Sequence, residues 1–174
     1  MLYIQPAVNG DYPAVKGFYD ALTDEMERAP FQPGWKKDIY PTREFLLRSI
    51  AQGELYTGLL GEEMAACMVV NRQCNDGYRQ VRWSVEAGPE EVRVIHALGV
   101  RAAYSNRGFA KEMVQAAVGL ARKGRCKTIR LDILAGNLPA ERAYTRVGFR
   151  PVATLPMFYE DTGWTDYKLF EFLL

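Results

Sequence analysis

The segment between Val92 and Leu134 constrains the fold more than any other part of the chain. A run rich in branched side chains, Val92–Val100, is followed by a polar turn that contains Gly108. A helical pattern of apolar residues then runs to Gly124, and a second alternating run, Cys126–Leu134, follows it. A strand, a helix and a strand in this order predict two parallel strands joined by a crossover helix.

The beginning of this crossover helix has the properties of an anion site. Backbone N–H groups in a first helical turn have no intrahelical acceptor, and the helix dipole places partial positive charge there. Gly108 and Ala110 keep side-chain bulk low where a ligand would approach the backbone. The pattern alone fits both a phosphate site and an ordinary connection between a strand and a helix.

The first half of the chain predicts further strands and helices. A strand at Leu2–Ile4 precedes a helix that Asp11 can cap, and a second helix is expected to start near Thr42. Residues 29–41, rich in proline and aromatic side chains, could line a pocket between them. Apolar runs at 55–60 and 64–70 predict a hairpin, and the alternation of Val81, Trp83 and Val85 is expected to continue its sheet.

The last elements are a helix that Asn137 can cap, ending at Gly148, and two strands near Phe149–Met157 and Trp164–Leu173. Together the patterns predict an α/β (α+β) fold. Its mixed, largely antiparallel central sheet has about six or seven strands, with a central parallel pair and about four flanking helices. At 174 residues with 48% apolar composition, residues 1–174 are expected to form a single domain.

Composition excludes several classes of function. A net charge of +1 gives no reason to expect binding to nucleic acid or acidic membranes. No run approaches the roughly 18 apolar residues of a membrane span. Three cysteines without CxxC spacing and a single histidine do not form a standard zinc site, so we expect no metal. Reduced thiols that pack as small apolar residues, in the cytoplasm, are the expectation.

Two motifs resemble a known family. Asn106-Arg107-Gly108-Phe109-Ala110 resembles part of the acyl-CoA signature Q/R-x-x-G-x-G/A of the GNAT N-acetyltransferase superfamily. The block from Asn137 to Phe149, with Tyr144 and the terminal Gly-Phe, is similar to a later conserved block of that family. The order of elements also resembles the GNAT fold along essentially the whole chain. Neither the GxGxxG of dinucleotide sites nor the GK[ST] of P-loops occurs.

The resemblance implies acetyl-CoA as cosubstrate and direct transfer of the acetyl group to an amine. In the family the pyrophosphate is held at the turn and the first helical residues, and the pantetheine arm lies along the preceding strand and near the asparagine. One position departs from the signature, because Ser105 stands where the family has glutamine or arginine. The cofactor-binding residues implied are Leu98, Gly99, Val100, Ser105, Asn106, Arg107, Gly108, Phe109, Ala110, Lys111 and Asn137.

Three residues are candidates for the chemistry. Gly99, inside a strand, suggests a bulge whose freed N–H near Leu98–Val100 could donate to the thioester oxygen. Tyr144 matches the tyrosine that acts as general acid in the family, although a core tyrosine is the alternative. His96 lies in a run similar to a strand of arylalkylamine N-acetyltransferases, where a histidine relays the amine proton; a structural histidine is the alternative. Glu86, Glu90 and Glu91 are alternative candidates for the base, but solvated charges in a loop are the favoured interpretation of all three.

The acceptor side is expected among the aromatic residues. Trp35, Tyr40, Trp83 and Tyr159, with Tyr78, lie in or near segments that form this side in the family, and Glu160, Asp161 and Asp166 could attract a cation. We therefore expect a small primary amine as acceptor. A noncatalytic acyl-CoA-binding regulatory module and a protein N-acetyltransferase remain alternatives, and a homodimer stays open.

Overall fold

Seven strands form one mixed sheet in the computed structural model, which describes all 174 residues. The strands lie in the order β1-β2-β3-β4-β5-β7-β6. β4 and β5 are parallel, with Val92 opposite Thr128 and Val94 opposite Arg130. The predicted parallel pair is thus confirmed. The strands are β1 (Tyr3–Pro6), β2 (Leu55–Leu60), β3 (Glu63–Asn71), β4 (Val92–Val100), β5 (Thr128–Leu134), β6 (Arg150–Tyr159) and β7 (Gly163–Leu173).

Four helices accompany the sheet, as the sequence predicts. Thr42 caps α2 by accepting from the amide of Phe45 at 3.0 Å, and Asn137 caps α4 by accepting from the amide of Ala140 at 3.2 Å. Asp11 precedes α1, but its carboxylate accepts from the amide of Val8 rather than from the helix. The helices are α1 (Tyr12–Met26), α2 (Arg43–Ala51), α3 (Phe109–Lys123) and α4 (Leu138–Thr145).

The chain divides into two compact units. The first, called the N-terminal unit, consists of Met1–Val70 and His96–Met113. Its core brings apolar side chains of α1 and α2 onto β2 and β3, and includes Phe18, Leu22, Leu46, Leu55 and Val69, all buried. The predicted hairpin is confirmed as β2 and β3, which pair antiparallel.

The second, C-terminal unit consists of Asn71–Ile95 and Val114–Leu174. An ion pair between Arg130 on β5 and Glu171 on β7, 3.2 Å apart, is buried within it. Glu171 also accepts from the amide of Ser84, and Arg130 donates to the carbonyl oxygen of Val85. Two charged side chains therefore attach the segment after residue 80 to the sheet. The apolar core of the unit includes Tyr78, Val92, Val94, Met157, Tyr167 and Leu169.

The prediction that Val81, Trp83 and Val85 continue the sheet is wrong. Residues 76–80 form a short 3₁₀ helix, and residues 81–88 form no strand. The amide of Ser84 bonds to a carboxylate and the indole N–H of Trp83 donates to the carbonyl oxygen of Tyr78, at 3.0 Å. Alternation here reflects packing of a loop against side chains, not pairing with a neighbouring strand.

The cysteines differ in their surroundings. Cys67 and Cys126 are buried free thiols, as expected for small apolar residues, whereas Cys74 is exposed. The expectation is therefore wrong for Cys74. No helix is long and apolar enough to cross a membrane.

Candidate functional site

The turn before α3 has open space beside its backbone. Asn106 and Gly108 adopt the left-handed conformation, with φ of 60° and 82°, so the chain reverses sharply before Phe109. A Cβ atom at Gly108 would meet nothing within 4 Å. The first intrahelical bond runs from the amide of Glu112 to the carbonyl oxygen of Gly108, at 3.1 Å. The amides of residues 109–111 therefore have no intrahelical acceptor.

Arg107 is fixed beside this turn by two aromatic rings. Its guanidinium carbon lies 5.1 Å from the ring centre of Phe109 and 5.7 Å from that of Tyr104. Such cation–π contacts hold the charge near the helix start while its donors stay available. Ser105 and Asn106 are exposed. Open space, free amides and one cation fit the requirements of a pyrophosphate group.

The irregular residue of β4 is Ala97, not Gly99. Ala97 has φ of 50°, whereas Gly99 lies outside the left-handed region. The carbonyl oxygen of Ala97 accepts from the buried hydroxyl of Tyr19 on α1 at 2.8 Å. Gly99 is small for another reason, since a Cβ atom there would lie 2.1 Å from Cδ2 of Leu22. The left-handed residue of β4 thus lies two residues before Gly99, and Gly99 instead permits close packing of α1.

His96 lies beside a series of aromatic side chains in the N-terminal unit. Its ring centre is 6.1 Å from that of Phe45, which in turn is 6.4 Å from Tyr40. Tyr40 and Trp35 meet edge to face with centres 5.2 Å apart. All four side chains are partly buried. Two of the residues predicted for the acceptor, Trp35 and Tyr40, are therefore in the same cluster as the candidate histidine.

A cavity of about 430 Å³ also lies in the N-terminal unit, between α1, β3 and residues 101–104. It is lined by none of the predicted site residues. Its polar groups are occupied by one another, because Tyr104 donates to Glu63 and Arg101 pairs with Glu25 at 2.8 Å. The cavity is thus separate from the candidate residues.

Tyr144 and Asn137 belong to the C-terminal unit. Tyr144 is buried on α4, against Phe149, with ring centres 5.6 Å apart. Burial raises the pKa of Tyr144 well above that of a free phenol, and the negative charge of Asp132 adds to the shift. Asn137 uses its side-chain oxygen as the helix cap.

Asp132 on β5 is a candidate that sequence reasoning missed. Its Oδ2 accepts hydrogen bonds from the hydroxyls of Tyr78 and Tyr159, both at 2.8 Å. Burial raises the pKa of Asp132 to about 6, and the two hydrogen bonds oppose that shift. In the sequence, Asp132 stands between Leu131 and Ile133, and this alternation indicates only that its position in the strand is polar. The pairing with tyrosines 54 and 27 residues away had no local signal.

The other two acceptor residues predicted, Trp83 and Tyr159, lie around this carboxyl group. Tyr159 bonds to it directly, and the Trp83 ring packs on Tyr78 with centres 5.4 Å apart. Trp83 also stacks under Arg130, whose guanidinium carbon is 4.1 Å from the ring centre. The candidate residues therefore form two groups, one around His96 in the N-terminal unit and one around Asp132 in the C-terminal unit.

The other acidic residues that the sequence offered as bases or as cation attractors are in surface ion pairs, exposed or buried. Glu90 pairs with Arg72 at 2.8 Å, and Glu91 pairs with Lys127 at 2.9 Å. A hydrogen bond from the amide of Gly88 lowers the pKa of Glu91, with Lys127 contributing further. Glu86, Glu160 and Asp166 are exposed, whereas Asp161 is buried. Glu90 and Glu91 are thus members of surface ion pairs.

One protein-family model matches more than half of the chain. The model of the acetyltransferase (GNAT) family matches residues 17–149. A search of curated proteins by sequence found no match.

Solved structures with the same fold cover nearly the whole chain. NAA60 of Arabidopsis thaliana, in complex with acetyl-CoA, is 20% identical with a TM-score of 0.71, and all of both chains is covered. A GNAT family acetyltransferase of Streptococcus agalactiae is 16% identical with a TM-score of 0.79, over 99% of this chain and 95% of that one. The ribosomal-protein-alanine N-acetyltransferase of Brucella melitensis is 16% identical with a TM-score of 0.69, over 99% and 100%.

Proposed function

Because the chain belongs to the GNAT acetyltransferase family, we propose that it transfers an acetyl group from acetyl-CoA directly to a primary amine of a small molecule. The observation that carries the cofactor part of this proposal is the open left-handed turn at Asn106–Gly108, followed by free amides at the start of α3. We propose further that residues 1–174 act as one domain, in the cytoplasm, where its three free thiols stay reduced.

The residues around the turn divide the work of holding the cofactor. The amides of Phe109, Ala110 and Lys111 would hold the pyrophosphate, and Arg107 would add a charge that its aromatic neighbours keep in place. Ser105 has a hydroxyl in place of a longer donor, so the backbone carries most of the binding. Leu98–Val100 and Asn137 would take the pantetheine arm. The cofactor supplies an activated acetyl thioester.

The chain's own groups supply the remaining steps. A backbone N–H of Leu98–Val100, just after the left-handed Ala97, would polarise the thioester carbonyl. Tyr144 donates a proton to the departing sulfur, and burial keeps its phenol protonated at neutral pH by raising its pKa. His96 relays the amine proton onward. Partly buried aromatic side chains, among them Trp35 and Tyr40, favour a small acceptor over a long polymer.

The test is a panel of small primary amines with acetyl-CoA, followed by release of the free CoA thiol. The proposal expects thiol release and a product heavier by one acetyl group. Thermal stabilisation by acetyl-CoA without turnover on any amine would instead support a noncatalytic binding module. Gly108→Val should raise the Kd for acetyl-CoA about tenfold or more, equivalent to about 1.4 kcal/mol.

Gly61→Val is the matched control for this variant. Gly61 is also left-handed, with φ of 64° and nothing within 4 Å of its Cβ position, but it lies in the β2–β3 turn. Both variants place a β-branched residue at a left-handed position, so a loss of affinity at Gly108 alone would locate the cofactor at α3. Equal affinities would contradict the assignment.

A protein N-terminus is the second candidate acceptor, favoured by the similarity to the Brucella enzyme named for ribosomal-protein alanine. A peptide with a free N-terminal alanine and its N-acetylated form separate the two candidates. Acetylation of the free peptide alone, at a kcat/KM above that of every small amine, would replace the small-molecule proposal.

A further inference from the structure

Asp132 is a carboxyl group without a counter-ion inside the C-terminal unit. Its side chain is partly buried on β5, and no lysine or arginine forms an ion pair with it. Arg130, two residues earlier, pairs with Glu171 instead. Partly buried charges are normally paired, and unpaired ones concentrate where a ligand supplies the opposite charge.

Two tyrosine hydroxyls donate hydrogen bonds to the same oxygen of this carboxyl group, Oδ2. Both hydroxyl hydrogen bonds end on Oδ2, and neither tyrosine donates to Oδ1. The tyrosine rings are themselves held, Tyr78 by Trp83 and Tyr159 by Tyr167, with centres 5.4 Å and 4.8 Å apart. The cluster therefore presents one oriented oxygen, surrounded by aromatic rings, which suits an ammonium group.

We propose that Asp132 binds the ammonium group of the acceptor amine and takes its proton, with Tyr78 and Tyr159 as positioning residues. This inference rests on the proposed function and assigns the first acceptance of the amine proton to Asp132, a role that the proposed function gives to His96. The aromatic residues Trp83 and Tyr159 then belong to the acceptor site through this carboxylate.

The step balances without any further reagent. One N–H bond of the ammonium breaks as an O–H bond forms on Asp132, which leaves a neutral amine with a free electron pair. The C–N bond to the acetyl carbon then forms and the C–S bond breaks, and Tyr144 protonates the sulfur. The amide nitrogen loses its second proton, which restores the tyrosine, and Asp132 returns its own proton to water.

The tyrosine and cysteine side chains around Asp132 are neutral at pH 7, and the nearby Arg130 is paired with Glu171. With a pKa raised by burial to about 6, Asp132 is mostly ionised at pH 7. Burial raises the pKa of Tyr78, Tyr144, Tyr167 and Cys74, and the charge of Asp132 adds to each shift, so all four are neutral there. The exposed Asp76 and Arg79 pair with each other at 3.7 Å.

The first experiment compares Asp132→Asn with Asp76→Asn in the full chain, with an alkylamine as acceptor. Asp132→Asn should lower kcat/KM for the amine at least about 100-fold, while the Kd for acetyl-CoA stays within about twofold. For an aromatic amine, which is already neutral at pH 7, the same substitution should lower kcat/KM far less. Asp76→Asn should behave as the wild type. An Asp132→Asn variant that keeps a third or more of wild-type kcat/KM overturns the inference.

The second experiment follows the acid limb of the pH profile of kcat/KM. In the wild type activity should fall below about pH 6, because protonation removes the acceptor. Tyr159→Phe removes one hydrogen bond that lowers the pKa of Asp132, so the limb should move to higher pH. This variant also decides the question if Asp132→Asn fails to fold. A limb that stays in place with Tyr159→Phe but disappears with His96→Ala assigns it to His96 and overturns the inference.

Failure of the inference and failure of the proposed function give different results. If the wild type acetylates no amine, the proposed function fails, and calorimetry of an alkylamine in the presence of CoA tests the ammonium site directly. Binding to the wild type that weakens at least tenfold with Asp132→Asn supports the site, and equal binding overturns it. If the wild type is active and Asp132→Asn is equally active, only the role of Asp132 fails.

Discussion

The phenolic oxygen of Tyr19 lies 2.8 Å from the carbonyl oxygen of Ala97, the one left-handed residue of β4. Both residues are buried, so this hydrogen bond connects α1 to the irregular point of the strand. A carbonyl group displaced from regular strand geometry needs another donor, and α1 supplies it. The helix thereby helps to define the backbone just before Leu98–Val100.

Removing this donor should destabilise the protein. Tyr19→Phe leaves the carbonyl oxygen of Ala97 buried without its partner, which we expect to lower the free energy of unfolding by about 1–3 kcal/mol. Urea denaturation measures the change. Tyr3→Phe, at an exposed position, is the control and should leave stability unaltered. Equal stability of the two variants would show that water replaces the tyrosine.

Gly99 offers a test of packing rather than of backbone freedom. Gly99→Ala places a Cβ atom 2.1 Å from Cδ2 of Leu22, which must move within a filled core. We expect a loss of about 1–3 kcal/mol in the free energy of unfolding. Gly17→Ala in α1 has open space, and should stabilise by about 0.5–1 kcal/mol. A stabilised Gly99→Ala variant would refute the packing account.

Tyr144→Phe tests the proton donor. We expect kcat to fall about 10²–10⁴-fold with the Kd for acetyl-CoA unaltered, since only the hydroxyl is lost. Burial raises the pKa of Tyr144, so the phenol stays protonated beyond its ordinary value of about 10 and contributes no alkaline limb below that pH. Steady-state kinetics beside Tyr3→Phe measures the effect. An unaltered kcat would show that Tyr144 is a core residue and not the proton donor.

The buried ion pair should be far more sensitive than the surface ones. Glu171→Gln leaves Arg130 buried without its partner, for which we expect a loss of about 3–5 kcal/mol in unfolding free energy. Glu90→Gln breaks an exposed pair with Arg72 and should change stability by less than about 1 kcal/mol. Thermal unfolding of both variants makes the comparison. Similar losses would mean that the pair does not secure residues 81–88.

Asp132 should make stability depend on pH in a defined window. Its folded pKa of about 6 lies above the unfolded value of about 4, so the native state holds the proton more tightly. Stability is then greatest below about pH 4 with respect to this group, and falls by about 3 kcal/mol as pH rises through 6. Asp132→Asn should remove this slope in denaturation curves. An unaltered slope would assign it to other groups.

Local signals predicted the framework well because the responsible contacts are local. Thr42 and Asn137 cap helices through amides three residues away, and both starts are confirmed. The parallel pair followed from a crossover helix of ordinary length. Gly99 was correctly noted as unusual, but a glycine does not reveal whether it serves a turn or a neighbour, and Leu22 lies 77 residues earlier.

The candidate site was predicted only in part, because much of it depends on distant contacts. The turn at Asn106–Gly108 carries its own motif, and two of its residues are left-handed. Asp132 has no such motif, since Tyr78 and Tyr159 meet it only after the strands assemble. Trp83 misled the strand prediction because its alternation arises from packing on Tyr78.

Cys74 makes the C-terminal unit open to site-selective labelling without any engineering. It is the only exposed thiol, while Cys67 and Cys126 are shielded. Burial of part of its surface raises the pKa of Cys74, so a maleimide or iodoacetamide dye should couple faster in mildly alkaline buffer than at neutral pH. Since the charge of Asp132 acts on this thiol, a fluorophore there can report protonation or amine capture in real time.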